Sequence, residues 1–513
     1  MSIFFFDTPA YAESHFKFKL PWSLLYRPWP EIIVDAPFQF VPGTLPRLYI
    51  VMRDAHRFPV VVESLKVRFV KKGSEPLERD FKIDKTVKEP FCFLPIDVGE
   101  LEAGTYEVYA KVSVRREDGK QKTFSRWNLP LLRPEPLRIR VLIDELPKAP
   151  GFVVGETHCH SYYSADHVEF GATPIVLQEA AKAVGLDFVS ITDHAYDFAF
   201  DHVEYTKESD AVARFAALKK EVGELSRYPL LVAGEEVSVG NAKQENVHVT
   251  VLGSENYLPG LGDCGRYWLH NKPTLNIPQM LSMTEAPCFA AHPFQQMNAL
   301  EKFIFRRGYW QPKDLCANAN NPICGFQFWN GLLDEGFKLG RDFWIEELRK
   351  KNFILPIAGN DAHGDLNDTT SNALPLFALR ETRDHVFGFA RTAVKLDGEL
   401  TKENLQQAFL KGAATYITNG PALWLEQLSS DAVILNALSN SELGAFRYVR
   451  IFARRILPNG EFSKKEELLN ESLVAAPIKT EIKIRLDNFA YLRAECETST
   501  KRFAMTSAYS INE

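Results

Sequence analysis

The sequence predicts an α/β protein in three parts: a β-sandwich over 1–150, an α/β core over 151–425, and a β-rich module over 426–513. Three observations predict it. The first 150 residues alternate apolar and polar side chains with almost no helical periodicity. From about 152 to 400, strand-like runs alternate with capped helical segments, as a parallel sheet or barrel requires. Imidazoles and carboxylates recur at the ends of those runs, where such a fold places its site.

In chain order, 48–52 and 64–70 read as strands, and 104–114 alternates over a long stretch before the Glu117-Asp118-Gly119 turn and a returning strand toward Trp127. Pro134, Pro136, Pro147 and Pro150 mark the exit from the sandwich. The segment 173–184 opens with a Thr cap and Pro174 at the first helical position, and closes at Gly185. A second helix is predicted over 211–224 and a third over 400–412. Beyond it, 447–456, a Pro458-Asn459-Gly460 turn and 479–485 return to β character.

A chain of 513 residues exceeds one ordinary core. With 45% hydrophobic and 25% charged residues it reads as a soluble globular protein. A net charge of −6 and a pI near 6.1 give no reason to expect nucleic acid or a membrane as partner. No apolar run is long enough to span a bilayer, the start resembles no signal peptide, and the seven cysteines are scattered and odd in number, so reduced thiols and a cytoplasmic location are expected. Cys159 alternates with His158 and His160 and is expected to face away from them.

The candidate chemistry lies in ordered motifs: His158-Cys159-His160, Thr192-Asp193-His194, Gly234-Glu235-Glu236, His248, Ala291-His292-Pro293 and Asn360-Asp361-Ala362-His363. Two histidines two apart on a strand share a face about 7 Å apart, within reach of one ion. Singly, each could be a hydrogen-bonded core residue or a cap. Together they would bury many ionisable groups near one another, which is costly unless cations compensate them.

These motifs resemble the polymerase and histidinol phosphatase (PHP) superfamily of metallohydrolases over roughly 152–425. The segment 408–421 and the tail strands around 491–495 and 503–509 are similar to the CehA/McbA-type branch, one member of which cleaves a carbamate ester. The resemblance implies a distorted (β/α)7 TIM-like barrel carrying two or three divalent ions (Zn, Mn or Fe). It implies His158, His160, Asp361 and a shared Glu236 around one ion, Glu236, His248 and His292 around a second, and Asp166, His194 and His363 around a third. Glu236, two after the glycine, is carried over in place of Glu235. Glu156 stands where the family often has Asp, a position that is usually not the main ligand. Asp166 is taken over its neighbours Ala165 and His167.

The expected reaction is hydrolysis of a small-molecule ester, first a phosphoester, by a hydroxide bridging the ions. Glu236 is read as catalytic, with Asp193 as an orienting group and Asn330 as a substrate contact. Carbamate or amide hydrolysis is the alternative within enzymes, and a binding protein with a metal-stabilised barrel is the alternative outside them. Arg266, Arg306 and Arg307 are candidate phosphate clamps; Tyr267, Trp268, Tyr309 and Trp310 in the same stretch would suit an aromatic ester.

Overall fold

The computed structural model describes residues 4–10, 28–128, 134–164, 170–201, 203, 207–264, 271–297, 299–315, 322–367, 369–374, 378–476 and 478–511. Of the residues singled out above, Ala165, Asp166, His167, Arg266, Tyr267 and Trp268 lie outside the described residues.

The N-terminal part is two sheets face to face. One is six-stranded and contains Val60–Lys71, Leu77–Val87 and Gly104–Arg116; the other joins Glu31–Asp35, Arg47–Arg53 and Phe91–Asp97. The alternation in Gly104–Arg116 buries Tyr106, Val108, Ala110, Val112 and Val114 against Ile50, Met52 and Leu94 of the other sheet. Gly119 closes the hairpin at φ 80°, which a side chain would strain.

The centre departs from the expected α/β barrel with a helix between successive strands. Among the described residues strand makes up 43% and helix 15%, so the architecture is β-dominated. A fifteen-stranded mixed sheet runs through the site. Its strands are β1 (Phe152–His160), β2 (Phe188–His194), β3 (Leu230–Gly240), β4 (Asn246–Val251), β5 (Cys288–Ala290), β6 (Gly325–Asn330), β7 (Leu355–Gly359), β8 (Ala362–His363), β9 (Arg391–Lys395), β10 (Thr415–Thr418), β11 (Phe446–Arg455), β12 (Glu467–Ala476), β13 (Phe489–Thr498), β14 (Phe503–Thr506) and β15 (Tyr509–Ser510). The order is β7-β6-β5-β4-β3-β2-β1-β9-β10-β14-β13-β11-β12, with β8 beside β1 and β15 beside β13.

The departure has a local cause. Strands β1, β2 and β3 are parallel, but β4 is antiparallel to both β3 and β5, and β9 is antiparallel to β1. The link between β3 and β4 is too short for a crossover helix. The Asn241 carboxamide oxygen accepts from the backbone N–H groups of Lys243 and Glu245 and folds that link into a hairpin.

The four longest helices among the described residues are α1 (Pro174–Val184), α2 (Ala211–Gly223), α3 (Glu335–Arg349) and α4 (Lys402–Leu410). Gly185 closes α1 in the left-handed region, and the Thr401 hydroxyl caps α4 by accepting from Asn404 N–H at 3.1 Å. The C-terminal strands divide: Ala422–Ser429, Ala432–Leu438 and Lys479–Arg485 form a separate three-stranded sheet, while β10 pairs with β14, and β13, β11 and β12 extend the site's own sheet. Among the described residues no helix is long and apolar enough to cross a membrane.

Candidate metal centre

The strand ends deliver the donors. His158 and His160 end β1 and share a face, with their Nε2 atoms 3.2 Å apart, while the buried Cys159 turns away and lies 3.5 Å from the Ser190 carbonyl. His194 ends β2 and pairs in register with Glu236 on β3. His248 lies on β4 opposite Ser238. His292 follows β5, Asn330 ends β6, and Asp361 and His363 follow β7.

These groups converge. Glu236 Oε2 lies 2.9 Å from His194 Nδ1, 3.3 Å from His158 Nε2 and 3.4 Å from His160 Nε2. Its other oxygen, Oε1, lies 2.7 Å from His248 Nδ1 and 2.9 Å from His292 Nε2. Asp361 Oδ1 is 3.0 Å from His160 Nε2 and 3.3 Å from His158 Nε2. Donors bonded at about 2.0–2.1 Å to a tetrahedral ion sit about 3.3 Å from one another. The separations among His158, His160, Glu236 and Asp361 run from 3.0 to 3.4 Å, so this set has the spacing of a coordination shell.

Three groups could hold a metal ion: His158, His160, Glu236 and Asp361; Glu236, His248 and His292; and His160, His194 and His363. Eight of the nine ligands named from the sequence are therefore brought together, and the ninth, Asp166, lies outside the described residues.

The electrostatics follow from burial against mutual attraction. Burial pushes the Glu236 carboxyl up, but the His248, His158 and His194 imidazoles outweigh it and hold the group well below its usual range. Burial likewise opposes ionisation of Asp361, and His158 and His160 override it. His158 is pulled the other way: despite burial, Glu236 and Asp361 raise it to about 9. Burial beside His194 lowers His160 to about 3, and burial beside His160 lowers His363 well below its usual value. Neutral imidazoles and ionised carboxylates are the forms that bind cations, so an ion would have to displace the proton that His158 keeps in its absence.

A surrounding layer fixes the donors. The Gln327 carboxamide oxygen is 2.8 Å from His158 Nδ1, which therefore carries its hydrogen and leaves Nε2 as the ligating atom. Asp193 does not face the donors. It accepts from Ser161 N–H at 2.7 Å, Ser161 Oγ–H at 2.6 Å and Ser164 N–H at 3.2 Å, and Ser164 Oγ stands 3.2 Å from His160 Nδ1. Asn330 reaches the mouth, its Nδ2 lying 3.4 Å from Asp361 Oδ2. Glu156 holds the frame: it accepts from the backbone of His158, Asn360 and Gly388 at 3.0 Å each, and burial raises it to about 7. Glu235 points away from the donors, accepting from Leu258 N–H and Ser254 Oγ–H.

Sequence reasoning missed Gln327 and Asp263. Asp263 Oδ2 lies 2.8 Å from His248 Nε2 and accepts from Arg307 Nε–H at 2.8 Å. Asp263 sits in a loop with no strand or spacing signal, so only the fold reveals it. Gly359 permits a close approach at the site, since a Cβ there would lie 2.8 Å from the His158 Cβ. The backbone is strained at two donors: His292 has φ 24° and Asp361 φ 53°, conformations that cost on the order of 1–3 kcal/mol each.

No family model matches the chain and no curated protein matches it. Solved structures show only faint likeness. An FMN-binding β-glucuronidase from Facaelibacterium prausnitzii L2-6 aligns at 12% identity over 94% of this chain and 74% of its own, with a TM-score of 0.23. A cycloisomaltooligosaccharide glucanotransferase from Paenibacillus sp. aligns at 9% identity over 94% and 69%, with a TM-score of 0.15. Such scores carry no argument about fold or function.

Proposed function

We propose that this chain is a metal-dependent hydrolase of a small-molecule ester, using two or three divalent ions of the zinc, manganese or iron type. The observation that carries the reading is Glu236: its two oxygens face different imidazole sets, as a carboxylate shared between ions would. The likeness of the motifs to the PHP superfamily, and of 408–421 to its CehA/McbA-type branch, supports the same reading. Ions bound there would supply Lewis acidity, lowering the pKa of a water and polarising the ester oxygen. The chain's residues hold that arrangement: Gln327 sets the His158 tautomer, Asp193 orders the loop bearing Ser164, and Asn330 offers an amide at the mouth.

The surroundings favour an uncharged ester of the carbamate kind. A phosphate clamp needs available cations. Arg306 gives its Nε–H to the Gln244 carbonyl, and the described lining of the cleft at His292 and Asn330 holds the carboxylates Asp334 and Asp384 and no Lys or Arg. Phosphoester hydrolysis is the second reading, favoured by Arg307, which lines a small separate cleft with His248 and His292.

The test is elemental analysis of chelator-free protein, followed by a panel of aryl carbamates, phosphomonoesters and phosphodiesters. At least two ions per chain and carbamate turnover are expected. One ion or none, or no turnover of any ester, overturns the proposal.

A further inference from the structure

A cleft of about 120 Å³ opens from His292 and Asn330 and is walled by Phe294, Phe328 and His385. His385 belongs to none of the three donor groups. Its residue is only 7% exposed, and its Nδ1 lies 2.8 Å from the Asn360 carbonyl oxygen. A carbonyl only accepts, so Nδ1 carries the hydrogen and the neutral ring presents Nε2 as a lone pair. Among the described residues Nε2 has no hydrogen-bond partner, and it is not sealed from solvent. His385 itself lines the cleft.

The ring is held from two sides by the site itself. Asn360 precedes Asp361, and its own carboxamide oxygen accepts from Ala390 N–H at 2.9 Å. Gly331, directly after Asn330, has φ 68°, and a Cβ there would lie 1.7 Å from the Asp384 carbonyl oxygen. Only glycine lets the segment bearing His385 lie against the end of β6.

We propose that His385 is a catalytic acid–base residue that protonates the departing group of the ester. The inference rests on the hydrolase reading above. In the step, a water oxygen bonds to the ester's carbonyl carbon and the bond from that carbon to the departing alcohol oxygen breaks. The Nε2 lone pair takes up the proton released by the water, and Nε2 then gives that hydrogen to the departing oxygen. The net reaction consumes one water, and no oxidant or reductant is needed.

The test compares wild type with His385→Asn in the metal-loaded full chain. The Asn amide can keep a donor near the Nδ1 position for the Asn360 carbonyl while removing the Nε2 function. Two carbamates sharing one carbamoyl group are used, with 4-nitrophenol or benzyl alcohol as leaving group. General acid catalysis contributes typically 10²–10⁴-fold. The variant is therefore expected to lose 100-fold or more in kcat/KM on the benzyl ester and less than threefold on the nitrophenyl ester, whose anion leaves unaided. Metal content should match wild type. Equal losses on both esters, or no loss on either, overturn the assignment while leaving a hydrolase that turns over intact. A wild type that binds metal but cleaves neither ester removes the hydrolase reading and this inference with it. Independently of turnover, ¹⁵N spectra of the metal-free protein should show the neutral His385 ring protonated at Nδ1; a neutral ring protonated at Nε2 overturns the proposal.

Discussion

Replacing Asp263 by Asn should weaken one metal position and spare the rest. His248 sits between two carboxylates, with Nδ1 2.7 Å from Glu236 Oε1 and Nε2 2.8 Å from Asp263 Oδ2. Burial opposes ionisation of Asp263, but His248 and Arg307 hold it well below the usual carboxylate range, so it stays charged. A charged acceptor on Nε2–H fixes the tautomer that leaves Nδ1 for an ion, and makes that nitrogen more basic. The Asn variant keeps the acceptor's shape and removes its charge. Losing such an outer partner costs about 10–100-fold in metal affinity, or about 1.4–2.7 kcal/mol at 1.36 kcal/mol per decade. The Asp263 side chain is fully buried and that of Arg307 is 25% exposed, so losing this ion pair also destabilises the fold, by up to about 3–5 kcal/mol. The assay is titration of metal-free full chain with zinc in chelator-buffered solution. One dissociation constant should rise 10–100-fold while the others stay within threefold. Unchanged binding at every position, or an equal loss at all of them with the far-UV spectrum intact, would refute the reasoning.

Glu236→Gln should release at least one ion and abolish ester turnover, whereas Glu235→Gln should keep full metal content, because Glu235 accepts from Leu258 and Ser254 on the other side of the strand; elemental analysis of both variants decides the register. Gly234→Ala should lower stability by about 1–3 kcal/mol or prevent folding, since its Cβ would lie 2.1 Å from the Val251 carbonyl oxygen; denaturant unfolding measures it. The metal-free chain should melt lower at pH 9 than at pH 7. His158 and His248 are raised to about 9 and about 10, burial being outweighed by their carboxylate partners, and burial raises Glu235 to about 8. Free imidazole titrates near 6.5, so across this window the native state binds protons that the unfolded chain has released, and stability falls as pH rises. A melting temperature that climbs from pH 7 to 9 in chelator would contradict it.

The donors were legible because their chemistry is local: a histidine or acid at the end of an apolar run is visible in one dimension, and the strand period places His158 and His160 on one face. The register of Glu236 against Glu235 came from the resemblance, and the strand pleat places the two on opposite faces. The architecture was less legible. Val247, Val249 and Val251 would suit a parallel or an antiparallel strand equally, and the outcome turned on the Asn241 hairpin. Asp263, Gln327 and His385 carried no signal because each acquires its role from a partner distant in sequence. Arg306 and Arg307 looked available as clamps, yet each gives its Nε–H to another part of the chain.

The continuity of the central sheet sets an order of events during synthesis. Strands β1, β9 and β10 pair in sequence, and β10 then pairs with β14, almost the last strand of the chain. While the ribosome is still making the residues between, β10 presents a bare edge with buried Tyr416 and Ile417 beside it. A nascent chain stalled before Phe503 would thus carry every donor of the metal centre and still offer a sticky border to its neighbours. Messages truncated in that interval should yield inclusion bodies and not a smaller working protein.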